Sequence, residues 1–255
     1  MTLAVVPHGS ALVEGRLLGR RKRFFADVEL ANGRKVVAHC VNTGRMEGLL
    51  ELGSRVFLSR ARPGRKLAYT WELSELDGVL IGVNTLMANR LVEAVLRAKR
   101  WPGFRRYREL RREKPFGEAS RVDFWVASGE REHFLEVKNC HLVYADGFGY
   151  FPDAPSERAT RHLDELSSVV RHGQRSSVVF TVQRPDVRGV RPSDFHDPTF
   201  SQAARAAARN GVRFRALRIE PTLDGYVVSE EIPVDLHPYD LGCVTRTTAK
   251  LTSGR

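Results

Sequence analysis

The first eighty-odd residues alternate short apolar stretches with turn residues, a pattern typical of β-strands. Glycine and proline mark the turns, for example at Asn32-Gly33, Pro63-Gly64 and Asp77-Gly78. The predicted strands are Leu12–Gly19, Phe24–Leu30, Lys35–His39, Arg55–Ser59, Lys66–Leu73 and Val79–Val83. Many short strands in so little chain predict a small all-β module, and an OB-like barrel is the best-known version that binds nucleic acid.

The pattern changes near Asn84, where apolar residues begin to recur at helical spacing. A helix is predicted over Thr85–Lys99, and Pro102-Gly103 ends it. Three strands are predicted next, at Phe104–Leu110, Arg121–Ala127 and His133–Cys140. The later predicted elements are a helix at about Ser156–His172, a strand at Ser177–Gln183, a helix at about Pro198–Asn210 and a strand at Val212–Ile219.

This order of helices and strands predicts an α/β domain in which helices flank a mixed sheet. The predicted organisation is therefore an OB-like barrel over residues 1–84, an α/β domain over residues 85–236 and a flexible C-terminal tail over residues 237–255. The tail prediction rests on its polar residues, which lack periodicity.

Charge adds a function class to this picture. The chain carries 41 Lys and Arg against 30 Asp and Glu, for a net charge of +11. Such an excess favours binding to phosphate backbones, so a nucleic acid, either DNA or RNA, is the expected partner. The alternative is a protein that positive charge simply keeps soluble.

Cysteine content and hydropathy bear on the compartment. Three widely spaced cysteines, Cys40, Cys140 and Cys243, indicate a reducing compartment and no disulfide-linked partner. No apolar run approaches the ~20 residues that cross a bilayer, and no basic leader precedes the short apolar run near the N-terminus. The expectation is a cytoplasmic protein with no membrane partner, and no pattern defines its oligomeric state.

The segment SRVDFWVASGEREHFLEVKNC holds the candidate chemistry. In a strand over Arg121–Ala127, Asp123 shares a face with Arg121 and Trp125, and Glu136 and Lys138 share a face of the following strand. The short link between the strands suits a hairpin. If the pairing brings Asp123 opposite Glu136 or Lys138, two carboxylates and an ammonium converge on one patch.

Two adjacent carboxylates repel each other unless a cation lies between them, and oxygen ligands suit Mg²⁺ or Mn²⁺. The carbonyl of Val137 is a possible third ligand. Such a metal would activate water against a phosphodiester, with Lys138 orienting the water, and Glu93 on the preceding helix is a candidate extra carboxylate. The alternative is a solvated Glu/Lys pair with Asp123 as an ordinary surface acid, because this spacing also arises by chance.

Several basic residues are candidates for phosphate contact. The run Arg20, Arg21, Lys22 and Arg23 precedes Phe24 and Phe25, which could stack on a base or pack in the barrel core. Residues 90–114 hold ten cations against three acids and lead towards Asp123. The remaining candidates are Arg65, Lys66, Arg105, Arg106, Arg121, Arg161 and Arg184. For each, a solvated loop or a local ion pair is the alternative.

The chain also resembles a known family. The motif D…EVK after a helix resembles the PD-(D/E)XK nuclease superfamily, and the stretches RRKRFFADVEL, AHCVNTGRMEGL, GVNTLMANRLVEA and FPDAPSERATRHLDEL are similar to the sugar fermentation stimulation protein (SfsA) family. The resemblance implies an OB-like barrel, a nuclease-like domain and DNA binding. It places Asp123, Glu136 and Lys138 on the catalytic pattern and Glu93 on the helix that often supplies another acid.

One departure from the family pattern concerns the segment that usually reads RGQKHL, because Thr160 here replaces its glutamine. Any role of that glutamine near the scissile phosphate is therefore in doubt, whereas the carboxylates are unaffected. Two hypotheses follow: a metal-dependent nuclease, or a non-catalytic DNA-binding regulator of sugar metabolism with a vestigial site.

Overall fold

The structure is a computed structural model, and it describes residues 2–116 and 120–242. The strands of its N-terminal half are β1 (Ala4–Pro7), β2 (Val13–Arg21), β3 (Phe25–Leu30), β4 (Lys35–His39), β5 (Arg55–Arg60), β6 (Tyr69–Leu76) and β7 (Val79–Gly82). The later strands are β8 (Glu109–Phe116), β9 (Ser120–Ser128), β10 (Arg131–Cys140), β11 (Leu142–Val143), β12 (Phe148–Phe151), β13 (Arg175–Val182), β14 (Gly189–Pro192), β15 (Arg213–Pro221) and β16 (Gly225–Ile232). The helices are α1 (Met87–Ala98), α2 (Glu157–Arg171) and α3 (Pro198–Arg209).

Strands β2 to β6 close a five-stranded barrel. Neighbouring strands run antiparallel, except that β4 pairs with β6 in parallel and so closes the ring. Alternate residues of β3 point inwards, and the barrel core includes the fully buried Val28, Leu58 and Trp71. Strand β7 extends the sheet beyond β6. This strand order is that of an OB barrel, so the predicted all-β module is confirmed.

The second domain is a seven-stranded mixed sheet in the order β1-β16-β15-β13-β10-β9-β8. The central strands β10, β13 and β15 are parallel, and the strands outside them pair antiparallel. Helix α1 packs on one face through Leu91 and Val95. Helices α2 and α3 pack on the other face through Leu163 and Phe200. The predicted α/β domain, with a mixed sheet flanked by helices, is confirmed.

A small sheet of β11, β12 and β14 joins the second domain to the barrel. The carboxylate of Asp153 accepts a hydrogen bond from the backbone N–H of Arg45 in a barrel loop, at 3.0 Å. The hydroxyl of Tyr144 donates to Glu47 in the same loop at 3.1 Å. The barrel therefore lies against the end of the sheet where β10 terminates.

Two groups of sequence predictions have different outcomes. The three predicted helices match α1, α2 and α3 within a few residues. The strand predicted at Phe104–Leu110 is wrong over most of its length, because Phe104 and Tyr107 are buried but belong to no strand, and the strand lies at Glu109–Phe116. That strand reads ELRREKPF, and its charges hide it from a search for apolar alternation.

Strands β1 and β16 were not predicted. They pair with each other, so the first strand of the chain completes the sheet of the second domain. Of the segment predicted as a tail, Tyr239 contacts Tyr150 with a ring separation of 5.6 Å. Residues 243–255 lie outside the described part of the chain.

Two further observations concern composition. Cys40 and Cys140 are buried and carry free thiols. In the part of the chain that the structure describes, no helix is long and apolar enough to cross a membrane.

Candidate active site

Asp123 lies where strands β9 and β10 separate. Their ladder ends at the pair Leu135 and Phe124, one residue before Asp123 would meet Glu136. The alternation of side chains between the two faces of the sheet also breaks here. Phe124 packs in the core under α1, whereas Val122 packs in the core on the opposite face. Strict alternation, from which the face of Asp123 was predicted, therefore fails between Val122 and Phe124.

The Asp123 carboxylate is held from two sides. Its Oδ2 accepts the backbone N–H of Val137 at 2.7 Å, and its Oδ1 accepts the side-chain amide of Asn89 on α1 at 2.7 Å. The Asp123 carboxylate thus links the part of β9 beyond the end of the ladder to both β10 and α1 by hydrogen bonds. Asp123 is only partly buried, so it is accessible from the site.

Glu136 is 4% exposed, and its two oxygens differ. Its Oε1 accepts from Lys138 Nζ at 2.7 Å and contacts His162 Nδ1 at 2.6 Å. Its Oε2 is buried and has no hydrogen-bond partner. A buried carboxylate oxygen without a partner is costly, and a bound cation is one way to satisfy it.

The two carboxyl groups have opposite electrostatic environments. Burial, and then the charge of Glu136, raise the pKa of Asp123 to about 6. Burial opposes ionisation of Glu136 too, but hydrogen bonding to His162 and the nearby Lys138 ammonium hold its pKa below the ordinary value. Glu136 therefore stays ionised to lower pH than Asp123 does. Asp123 is the carboxylate of the pair whose charge a proton or a cation would neutralise.

Side chains supply only part of the ligand set that a hard divalent cation would need at this site. Within residues 2–116 and 120–242, no three His, Cys, Asp or Glu side chains are grouped so as to hold a metal. The predicted set has two carboxylates and the carbonyl of Val137, and oxygen ligands completed by water are usual for Mg²⁺. Such a cation would bind the unpartnered Oε2 of Glu136. It would also offset the repulsion between the Glu136 and Asp123 carboxylates.

Glu93 lies on α1 one turn beyond Asn89, and its contacts are with cations. Its carboxylate pairs with Arg97 at 2.7 Å and with Arg112 at 3.2 Å. Among the described residues it makes no hydrogen bond to Asp123 or Glu136, so the helix reaches the site through Asn89 instead.

Two of the cations predicted to contact nucleic acid lie at the base of the β2–β3 hairpin and are held there. Arg20 donates to the carbonyls of Asn42, Gly44 and Arg23, and so fastens a barrel loop. Arg21 forms a two-point ion pair with Asp27.

The side chains at the tip of the hairpin, by contrast, point into solvent. Lys22 and Arg23 are exposed there and have positive φ angles of 49° and 60°. Phe24 beside them is 48% exposed, so the core packing considered for this ring is wrong.

The other predicted cations are spread over the surface. Arg65 and Lys66 are exposed between β5 and β6, and Arg161 is exposed on α2. Arg121 donates to the carbonyl of Glu113 at 3.2 Å, and Arg184 pairs with Asp186. Arg105 and Arg106 lie in the loop after α1 and line a cleft to which Asp123 does not contribute.

Sequence reasoning missed two side chains of the site. Asn89 holds Asp123, and His162 holds Glu136. Asn89 stands one helical turn before Glu93, and His162 lies in the segment Arg158–Leu163, which corresponds to RGQKHL in the family pattern. A search for polar residues on the buried faces of the two helices would have found both.

A five-stranded OB barrel followed by a helix-covered mixed sheet defines the class of this protein. A family model described as the SfsA N-terminal OB domain matches residues 18–83, and one described as the sugar fermentation stimulation protein RE domain matches residues 86–225. The chain belongs to the sugar fermentation stimulation protein (SfsA) family.

Curated relatives support this assignment. The sugar fermentation stimulation protein homolog of Alkalilimnicola ehrlichii is 48% identical over 226 residues, which cover 86% of this chain and 95% of the relative. The homolog of Thioalkalivibrio sulfidiphilus is 45% identical over 234 residues, which cover 89% and 96%. The structure of Pyrococcus furiosus SfsA in complex with Ca²⁺ is 28% identical, with a TM-score of 0.83, and the match covers 92% of this chain and 99% of that one.

Proposed function

We propose that this protein is a divalent-metal-dependent phosphodiesterase of the PD-(D/E)XK type that acts on DNA. Asp123 and Glu136 hold Mg²⁺ or Mn²⁺, and Lys138 is the catalytic cation. The observation that carries this proposal is the buried, unpartnered Oε2 of Glu136.

Each side chain has a distinct task in this proposal. Asn89 and the N–H of Val137 orient the Asp123 carboxylate, and His162 fixes one oxygen of Glu136 so that the other is left for a ligand. A divalent cation, when bound, polarises a phosphate ester and favours the ionisation of water. The Lys138 ammonium, 2.7 Å from Glu136, can donate to the attacking water or to a phosphate oxygen.

Hydrolysis consumes one water molecule. The water oxygen bonds to phosphorus as the bond from phosphorus to the leaving ester oxygen breaks. The water proton passes to solvent, and the leaving oxygen takes up a proton, so that charge and atoms balance.

A related protein supports the choice of cofactor. The Pyrococcus furiosus SfsA structure is described as a Ca²⁺ complex. Ca²⁺ and Mg²⁺ both prefer carboxylate and carbonyl oxygens. This likeness supports a hard divalent cation as the cofactor of the proposed site.

DNA is the proposed substrate because of charge and of the barrel surface. The net charge is +11. The exposed hairpin tip combines Lys22 and Arg23 with the ring of Phe24, which suits contact with a phosphate backbone and a base. RNA is the alternative substrate, and binding of matched DNA and RNA oligonucleotides at one salt concentration decides between them.

The test is cleavage of plasmid and single-stranded DNA with Mg²⁺ or Mn²⁺. Asp123→Ala should abolish cleavage and leave DNA binding intact, whereas the exposed acid Asp164 offers a matched control in Asp164→Ala, which should cleave normally. Absence of cleavage with every metal and substrate, with binding retained, would favour the non-catalytic regulator of sugar metabolism instead.

A further inference from the structure

A second feature lies at the end of the sheet remote from Asp123 and Glu136. A cleft of about 810 Å³ opens there between the loop after α1 and the starts of two strands. Its lining is rich in cations and contains no acid: Lys99, Gly103, Arg105, Arg106, Tyr107, Arg108, Ser128, Arg131 and Arg175. We call it the basic cleft.

The topology of the sheet concentrates these cations. The parallel strands β10, β13 and β15 begin with Arg131, Arg175 and Arg213. Parallel strands start at one edge of a sheet and lie ~4.8 Å apart, so the three arginines share that edge. Glu136 lies five residues further along β10 than Arg131, which at ~3.3 Å per residue is about 17 Å away.

The basic cleft gathers six cations, none of which has an acidic partner among the described residues. Some arginines elsewhere do form ion pairs, as Arg55 does with Glu14, Arg205 with Asp194 and Arg184 with Asp186. In the described ranges, by contrast, none of the six lining cations forms an ion pair with a carboxylate. Six exposed like charges around one cleft repel one another, and a multivalent anion would remove that repulsion.

A buried histidine behind the cleft responds to the same field. His133 is 3% exposed and contacts Tyr107 and Ser177. Burial first, and then the charges of Arg213, Arg175 and Arg215, lower its pKa to about 3. The positive charge of these arginines therefore acts on a group inside the domain.

We propose that the basic cleft is a second anion site, separate from the carboxylate site, that binds a compact polyphosphate such as the phosphate chain of a nucleoside triphosphate. Arginine suits phosphate because its planar fork donates two parallel hydrogen bonds. The volume lies within the range of small-molecule sites, about 300–1,000 Å³. A bounded cleft with this density of charge suits a compact ligand better than an extended strand.

The test is calorimetric titration of the full-length protein with inorganic tripolyphosphate, and then with ATP, in metal-free buffer at physiological salt. Both ligands should bind. The double variant Arg131→Gln with Arg175→Gln should weaken binding at least tenfold, because both guanidinium groups are lost from the cleft. The matched control, Lys35→Gln with Arg62→Gln, removes the same charge from exposed positions of the barrel and should change the affinity less than twofold.

Three results would overturn this site: no binding to the wild-type protein, equal weakening in both double variants, or a single-stranded oligonucleotide that displaces tripolyphosphate and loses more affinity than ATP in the cleft variant. The third result would assign the cleft to nucleic acid. Asp123→Asn should bind tripolyphosphate normally, so failure of the cleft and failure of the proposed nuclease site are distinguishable. Thermal unfolding of each variant confirms that it folds.

Discussion

Asp123→Asn should stabilise the metal-free protein at neutral and alkaline pH. The pKa of Asp123 rises from its ordinary value of 3.8 to about 6 in the folded protein. One pH unit between folded and unfolded pKa corresponds to about 1.4 kcal/mol, so keeping this carboxylate ionised costs up to about 3 kcal/mol of folding free energy above pH 6. Asparagine has no charge: its Oδ1 can accept from the N–H of Val137, and its amide can donate to Oδ1 of Asn89 once the Asn89 amide turns over.

The sign of this effect sets its pH profile. A carboxyl group whose folded pKa is raised supports folding only while it is protonated, so its contribution is complete below pH 4 and is lost between about pH 4 and 6. The stability of Asp123→Asn relative to wild type should therefore be near zero at pH 4 and reach its maximum above pH 6. At ~2–4 °C per kcal/mol for a chain of this size, the expected gain in melting temperature is up to about 10 °C.

The assay is urea and thermal unfolding from pH 4 to pH 8 in chelator, followed by tryptophan fluorescence. Asp164→Asn is the control, because Asp164 is exposed on α2 and should give no pH-dependent difference. Adding Mn²⁺ should stabilise the wild type and not Asp123→Asn. A destabilised variant at pH 8, or a difference that does not vary with pH, would refute the assignment of a raised pKa to Asp123.

Three further outcomes are expected. His162→Ala should weaken Mn²⁺ binding about tenfold, measured by calorimetry, because it frees the Glu136 carboxylate to rotate; unchanged affinity would remove its positioning role. Arg20→Ala should lower stability by about 2 kcal/mol in urea unfolding, because loop carbonyls lose a charged donor, whereas Lys22→Ala should leave stability unchanged and weaken DNA binding; the reverse result would contradict the division of the hairpin. Phe124→Ala should cost about 3–5 kcal/mol in the same unfolding assay, since its ring is fully buried under α1; a cost below 1 kcal/mol would contradict that packing.

Local periodicity predicted the elements whose burial follows from their own residues. The helix α1 carries an apolar stripe, and strands such as β3 alternate buried and exposed positions, so both are legible in the sequence. Strand β8 is not, because it is a charged edge strand stabilised by its pairing to β9 and by Lys114, which lies 3.5 Å from the ring of Trp125. Such long-range pairing leaves no local pattern.

The same distinction between local pattern and long-range contact applies to the residues of the candidate site. Spacing along β10 put Glu136 and Lys138 on one face, and they are hydrogen-bonded. The break in alternation at Asp123 could not be predicted, because it depends on where the ladder to β10 ends. Asn89 and His162 come from helices packed on opposite faces of the sheet, and only the tertiary fold brings them to the two carboxylates.

The most direct test of the central proposal is a crystal soaked in Mn²⁺ and measured for anomalous scattering at the manganese edge. The proposal predicts one strong peak within ligand distance, about 2.0–2.3 Å, of the carboxylates of Asp123 and Glu136, and its loss in Asp123→Ala. A crystal with Mn²⁺ bound elsewhere, or with none between these two side chains at a concentration that supports DNA cleavage, would contradict it.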